Sequence, residues 1–188
     1  MSFQITGLPE ADAVLDEQPF AVLAAMMLDQ QYPMEHAFRG PWKVVERFGT
    51  FDPAAIADAD PEDFVALATT PPAIHRYGRA MAARLQELAR VVVDEYDGDA
   101  SRIWTEATSG ADLLKRVKAL PGFGEQKAKI FVALVAKQLG VRPDGWEKVA
   151  GDYALEGYRS VADVTSPETL QKVRDFKKAK KAAAKAAG

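Results

Sequence analysis

The sequence predicts an all-α fold. Apolar residues recur at helical spacing along most of the 188-residue chain. Helix-start and helix-stop signals punctuate those runs. Strand signals are weak throughout.

The elements follow in order. Phe20 to Met27 is almost wholly apolar, as a central core helix would be. Ala37 to Phe48 is amphipathic and is interrupted at Gly40-Pro41, since proline removes a backbone donor. Asp60-Pro61-Glu62-Asp63 is a helix start, with an aspartate to accept free N–H groups, proline in the first turn and acids near the positive end. Pro71-Pro72 ends that helix. A long helix is expected from Ile74 to Tyr96, with Met81, Leu85, Leu88, Val92 and Val93 on its buried side, stopped by Asp97-Gly98-Asp99. Ser109-Gly110-Ala111-Asp112 opens the next helix, which runs to Leu120. Gln126 to Leu139 forms another, with Ile130, Phe131, Leu134, Val135 and Leu139 at helical spacing. A short helix is expected after Asp144, and Ser166-Pro167-Glu168 opens the last one. The Lys/Ala run from Lys177 to Gly188 reads as a basic tail, frayed when alone and helical on a partner.

Composition removes several classes of function. The chain has no cysteine, which excludes disulfides, a thiol nucleophile and cysteine-ligated zinc or iron–sulfur sites. No apolar run reaches the roughly 18 residues of a membrane span, and no signal peptide is visible. A cytoplasmic protein is expected, nucleoid-associated in a bacterial cell, and a monomer. His36 and His75 lack ligand-spaced partners, so no metal site is expected.

A net charge of −3 looks wrong for a nucleic-acid binder, but its distribution does not. Residues 1–100 carry 7 Lys and Arg against 17 Asp and Glu, whereas residues 101–188 carry 17 against 10. The second part is basic, as phosphate contact requires. Much of that excess lies from Lys172 onward, with 7 basic residues and one acidic.

The basic part also holds the most informative motif, Leu120-Pro121-Gly122-Phe123-Gly124, between two helical runs. Glycines in so tight a turn allow close backbone approach to a ligand. The second helix directs its free N–H groups and positive dipole end at that ligand, and a phosphate suits both. Lys127 and Lys129 add charge, and the small Ala128 allows close packing. This helix, Pro-Gly-x-Gly turn, helix layout resembles the helix-hairpin-helix of the HhH-GPD superfamily of base-excision DNA glycosylases, over about residues 18–150.

The resemblance implies a two-lobed helical fold. Residues 20–130 would form a helical barrel that includes the first part of the hairpin (112–139). Residues 1–19 would pack with a C-terminal lobe of residues 131–176, leaving 177–188 as the tail. Residues 155–170 carry no argument of this kind. The partner would be double-stranded DNA with a lesion or mismatch. No cofactor is expected: the four-cysteine cluster of many relatives is impossible here. A monovalent cation could sit on the main-chain carbonyls of Leu120 and Gly122.

The resemblance also nominates residues. Leu120, Gly122, Phe123 and Gly124 would form the DNA-binding turn. Asp144 falls where the family places its carboxylate, which can stabilise positive charge on the sugar or activate water. Asp144 with Glu147 also reads as an N-terminal capping box. Relatives usually carry an aliphatic residue just before the acid, and here it is Pro143. Asp152 is the alternative. The position where strand-cleaving relatives carry a Schiff-base lysine is Gln126, with Lys127 one step later. A step of about 100° along the helix should turn Lys127 away from the cleft, towards a phosphate. A monofunctional enzyme that uses water is therefore expected. Gln30 and Gln31, at the end of the apolar helix, match the glutamine that fills the hole left by an extruded base. Tyr32, Trp146 and Tyr153 could stack on that base or belong to the core. Two other readings stay open: a non-catalytic DNA-binding protein that kept this fold, and an interaction domain in which the hairpin is only a corner. The sequence does not select the base.

Overall fold

Helix α2 (Pro19–Leu28) is the axis of the fold. Phe20 through Leu28 are all buried, so this helix has no face to offer to water. Its neighbours cover every side. In the computed structural model, which describes residues 2–188, the chain forms twelve α-helices and two short 3-10 turns, with no strand among the described residues. Helices α1 (Pro9–Glu17), α3 (Met34–Phe38), α4 (Gly40–Phe48) and α7 (Gly78–Tyr96) pack against α2. Helices α5 (Pro53–Asp58) and α6 (Pro61–Thr69) pack on α7. Gly40 permits the tightest of these approaches: a β-carbon there would lie 2.6 Å from Leu28 Cδ1.

Local chemistry sets the helix starts. Asp60 Oδ1 accepts the Asp63 N–H at 3.0 Å, and Ser109 Oγ accepts that of Asp112 at 3.0 Å. Ser166 caps the last helix with a reciprocal bond to Thr169. One start differs from the expectation. The long helix begins at Gly78, not Ile74, because the preceding residues are held in a bend. His75 Nδ1 accepts the Tyr77 N–H at 2.9 Å, so Nε2 carries the proton and donates to the Gln30 carbonyl at 3.0 Å. Burial lowers the His75 pKa, which keeps the ring neutral and the bend tied to the end of α2.

The rest of the chain is built around α10 (Glu125–Gln138). It packs against α9 (Gly110–Lys118) and α11 (Trp146–Ala150), with α8 (Arg102–Thr105) beside α9. The segment after residue 155, silent in the sequence, wraps the end of α10. Buried Gln138 donates to the carbonyls of Ala162 and Val164 at 3.1 and 2.9 Å, and Lys137 pairs with Asp163 at 2.7 Å. Helix α12 (Pro167–Ala187) buries Val173 and pairs Arg174 with the buried Glu35 of α3. Residues 177–188 do not form a separate tail: the helix continues through them without a break to Ala187. The N-terminal segment lies beside it: Phe3 to Gly7 and Pro167, Leu170 and Arg174 line one crevice.

Candidate active site

The hairpin turn has the backbone its glycines demand. Gly122 takes φ +84°, and a β-carbon there would meet Met27 Cγ at 2.7 Å and Arg84 Cδ at 2.9 Å. Gly124 is extended instead, at φ −87°, and caps α10 with no side-chain bond to the first-turn N–H groups. Nothing lies within 4 Å of the place its β-carbon would occupy. Leu120 and Phe123 are buried, and Phe123 meets Phe131 edge-on with ring centroids 6.0 Å apart. Their side chains anchor the turn to the core.

A cavity of about 610 Å³ opens beside this turn. Gln126 and Lys127 reach it from the first turn of α10, and Asp29, Gln31 and Tyr32 from the end of α2. Phe176, Lys177, Lys180, Lys181 and Ala184 close it from α12. The wall is apolar where Met26, Ile130 and Phe176 contribute, and basic at the α12 side.

Lys127 corrects the expectation that it faces away. Its Nζ donates to the Asp29 carbonyl at 2.8 Å and to the Met27 carbonyl at 3.3 Å, inside the cavity. The carbonyls that end α2 have no helical partner and attract it. Burial brings the Lys127 pKa down to about 8; Asp29 opposes the shift, while Arg84 and Lys177 add to it. Gln126 also lines the cavity, and its Nε2 donates to the Tyr153 hydroxyl at 2.9 Å. Lys180 lies over the Tyr153 ring, 5.8 Å from its centroid.

The two glutamines after α2 part ways. Gln31 adopts φ +52°, lines the cavity and accepts a bond from the Tyr77 hydroxyl at 3.3 Å. Gln30 folds back, its Nε2 donating to the Met27 carbonyl at 2.9 Å. Tyr32 lies against the His75 ring at 4.7 Å between centroids and lines the cavity, whereas Trp146 is buried.

Asp144 stands elsewhere. Its carbonyl accepts the N–H of Gly110, the first residue of α9, at 2.7 Å. It therefore sits at the open end of the hairpin, about 15 Å from the turn by the rise of α9. Its side chain is exposed, and it does not line the cavity. The Asp144–Glu147 capping box does not form. Gly145, at φ +81°, takes the cap position, and the Pro143-Asp144-Gly145 turn closes through Trp146 N–H to Pro143. Asp152 is exposed and opens onto an adjoining hollow with Glu125 and Lys129, whose lining shares Gln126, Tyr153 and Lys180 with the cavity.

Two contributors are given no role by the sequence motifs. Asp29 is legible only as an anomaly, an acid directly after an unbroken apolar helix. The α12 wall is not legible, because helical spacing alone does not say where a terminal helix docks.

Comparison with known protein families matches residues 24–187 to the HhH-GPD superfamily base excision DNA repair protein family. No curated protein and no solved structure gives a significant match.

Proposed function

This chain belongs to the HhH-GPD superfamily of base excision DNA repair proteins, and from that premise we propose that its cavity receives a damaged or mispaired base turned out of duplex DNA and releases it by cleaving the N-glycosidic bond. One observation carries the reading. The first turn of α10 serves DNA backbone and base together. Its open N-terminus suits a phosphate, and its side chains Gln126 and Lys127 line a base-sized cavity. Tyr32 supplies an aromatic face for the base, and Gln31 a polar group beside the gap it leaves. Lys177, Lys180 and Lys181 bring charge to the mouth, where the DNA backbone would pass. A monovalent cation would rest on the carbonyls of Leu120 and Gly122. Leu120 O already accepts the Phe123 N–H at 3.2 Å, which leaves it one lone pair for such an ion.

Water is the nucleophile in the first form of this reading, since Gln126 stands where strand-cleaving relatives carry their lysine. A second form is favoured by the position of Lys127. Its neutral amine would add to the C1′ aldehyde of a ring-opened abasic sugar and expel water, leaving an imine that borohydride reduces. The test of the function is a screen of lesion-bearing duplexes for released base, with alkali added afterwards to reveal abasic sites. Release from at least one lesion duplex and none from undamaged DNA is expected. Duplex binding without release from any substrate would leave a DNA-binding protein that kept the fold.

A further inference from the structure

The crevice between the N-terminal segment and α12 holds about 630 Å³, within the range of small-molecule sites, and shares no lining residue with the cavity beside the hairpin. Its wall is apolar where Phe3, Ile5, Pro9, Pro167 and Leu170 contribute. Its charges do not balance. Three carboxylates, Asp12, Asp16 and Glu35, line it with two guanidinium groups, Arg39 and Arg174.

Glu35 differs from the other two acids. It is only 7% exposed, yet α3 carries it to the crevice. One of its oxygens pairs with Arg174. The other, Oε2, is the one buried side-chain nitrogen or oxygen without a hydrogen-bond partner among the described residues. His36 does not make up the difference. Its Nε2 lies 3.9 Å from Oε1, the oxygen already paired, and burial, Arg39 and Lys43 hold the ring below the usual histidine range. A buried carboxylate oxygen left in this state costs stability, and an N–H donor that reaches it recovers that cost.

The other charged groups are committed to the backbone. Asp12 Oδ1 accepts the N–H groups of Ile5 and Thr6 at 3.2 and 3.0 Å, and Asp16 Oδ1 accepts that of Phe3 at 2.7 Å. Arg39 donates to the Thr6 carbonyl at 2.8 Å. These bonds fix the N-terminal segment as one wall. Asp12 and Asp16 stand one turn apart on α1, so both carboxylates point to the same side. The crevice therefore offers more acceptors than donors and one more negative charge than positive, behind an apolar wall.

We propose that this crevice is a second binding site, for a small organic cation: an amidinium, guanidinium or primary ammonium carried on a short apolar body. The N–H groups of the ligand satisfy Glu35, the excess carboxylate offsets its charge, and its body packs against Phe3 and Leu170. The site depends neither on DNA nor on the hairpin, so it stands or falls apart from the glycosylase reading.

Benzamidine and benzamide provide the test, because they share a shape and differ in charge. Isothermal titration should show benzamidine binding at one site and benzamide binding at least about tenfold more weakly, as one partly screened ion pair provides. Bound benzamidine should slow amide exchange in residues 2–7, in α1 and in the first half of α12. Glu35→Gln, which keeps the shape of the side chain, should bring the two compounds within about threefold of each other. Ala13 also lines the crevice. Ala13→Phe fills the space from α1 without altering any charge and should abolish benzamidine binding, which keeps the test open if Glu35→Gln fails to fold. No binding of benzamidine, or equal binding of the two compounds by wild type, overturns the proposal. So does a preference that survives Glu35→Gln, binding that survives Ala13→Phe, or protection that falls on residues 176–184 at the hairpin cavity instead.

Discussion

The hairpin of α9 and α10 has a closed end and an open end, and the two are built differently. At the closed end, Gly122 holds a positive φ against Met27 and Arg84, and Gly124 leaves the start of α10 uncovered beside a cavity. At the open end, Gly110 packs on the backbone of Gly145 and Trp146 so closely that a β-carbon would lie 2.6 Å from Trp146 N. The closed end is shaped to receive something, while the open end is filled by the chain itself. Asp144 belongs to the second. Spacing from a motif fixes how much chain separates two residues, not the direction it takes. Here α10 carries the chain about 20 Å away from the turn. The return path through α11 brings back Asp152 and Tyr153, not Asp144.

Substitutions at the glycines should separate the two ends most sharply. Gly110→Val forces backbone apart and should destabilise the protein by about 3 kcal/mol in urea unfolding, the upper part of the overpacking range. Gly122→Val combines a disfavoured φ with contacts to side chains that can move, and should cost about 2 kcal/mol. Gly124→Val should leave stability within about 0.5 kcal/mol of wild type, because its backbone is extended and the space is empty, yet weaken binding to an abasic duplex by about tenfold. A Gly124→Val protein that binds like wild type would make the closed end a plain corner.

A second effect should appear at Lys127. Its pKa of about 8 lies below the ordinary lysine value near 10.4. Between those two values the folded protein holds fewer protons than the unfolded chain, so this group makes stability rise with pH across that window. Lys127→Met should flatten the rise. If the covalent route operates, borohydride trapping on an abasic duplex should increase with a midpoint near pH 8 and vanish in Lys127→Met. Trapping that persists would place the reacting amine on another lysine of the cavity wall.

The α12 wall should matter less, and mainly to affinity. Ending the chain before Lys177 removes five lysines, three of which line the cavity. The magnitude of the salt slope of duplex binding should fall by about 2–3, from roughly 0.9 per lost phosphate contact. Lesion preference should stay as it was. A changed preference would mean that Phe176 and its neighbours depend on the rest of α12 to shape the base site. Asp144→Asn should have the smallest effect, with thermal stability and abasic-duplex affinity both indistinguishable from wild type.

Most of the scaffold is legible in the sequence for identifiable reasons. The all-apolar α2, the Asp60, Ser109 and Ser166 starts and the Gly122 turn are each dictated by residues close together in the chain. What stays hidden depends on contacts across long separations. Helical phase points Lys127 outward, but carbonyls without helical partners about a hundred residues earlier draw it inward. Residues 155–170 give no periodic signal because they are held by Gln138 and Lys137 rather than by a regular face of their own. Asp29 is visible as an oddity, but only the folded arrangement of α2, α10 and α12 makes it the acid of a basic cavity.

Whether the chemistry belongs to the cavity at the closed end is decided by single-turnover base release from the lesion found in the screen. Wild type, Tyr32→Ala and Asp144→Asn would be compared on the same duplex. Wild type and Asp144→Asn should both release the base. Tyr32→Ala should lose about tenfold, the scale of removing one aromatic face from a stacked base. Unchanged release by Tyr32→Ala, with release abolished in Asp144→Asn, would contradict this placement of the chemistry.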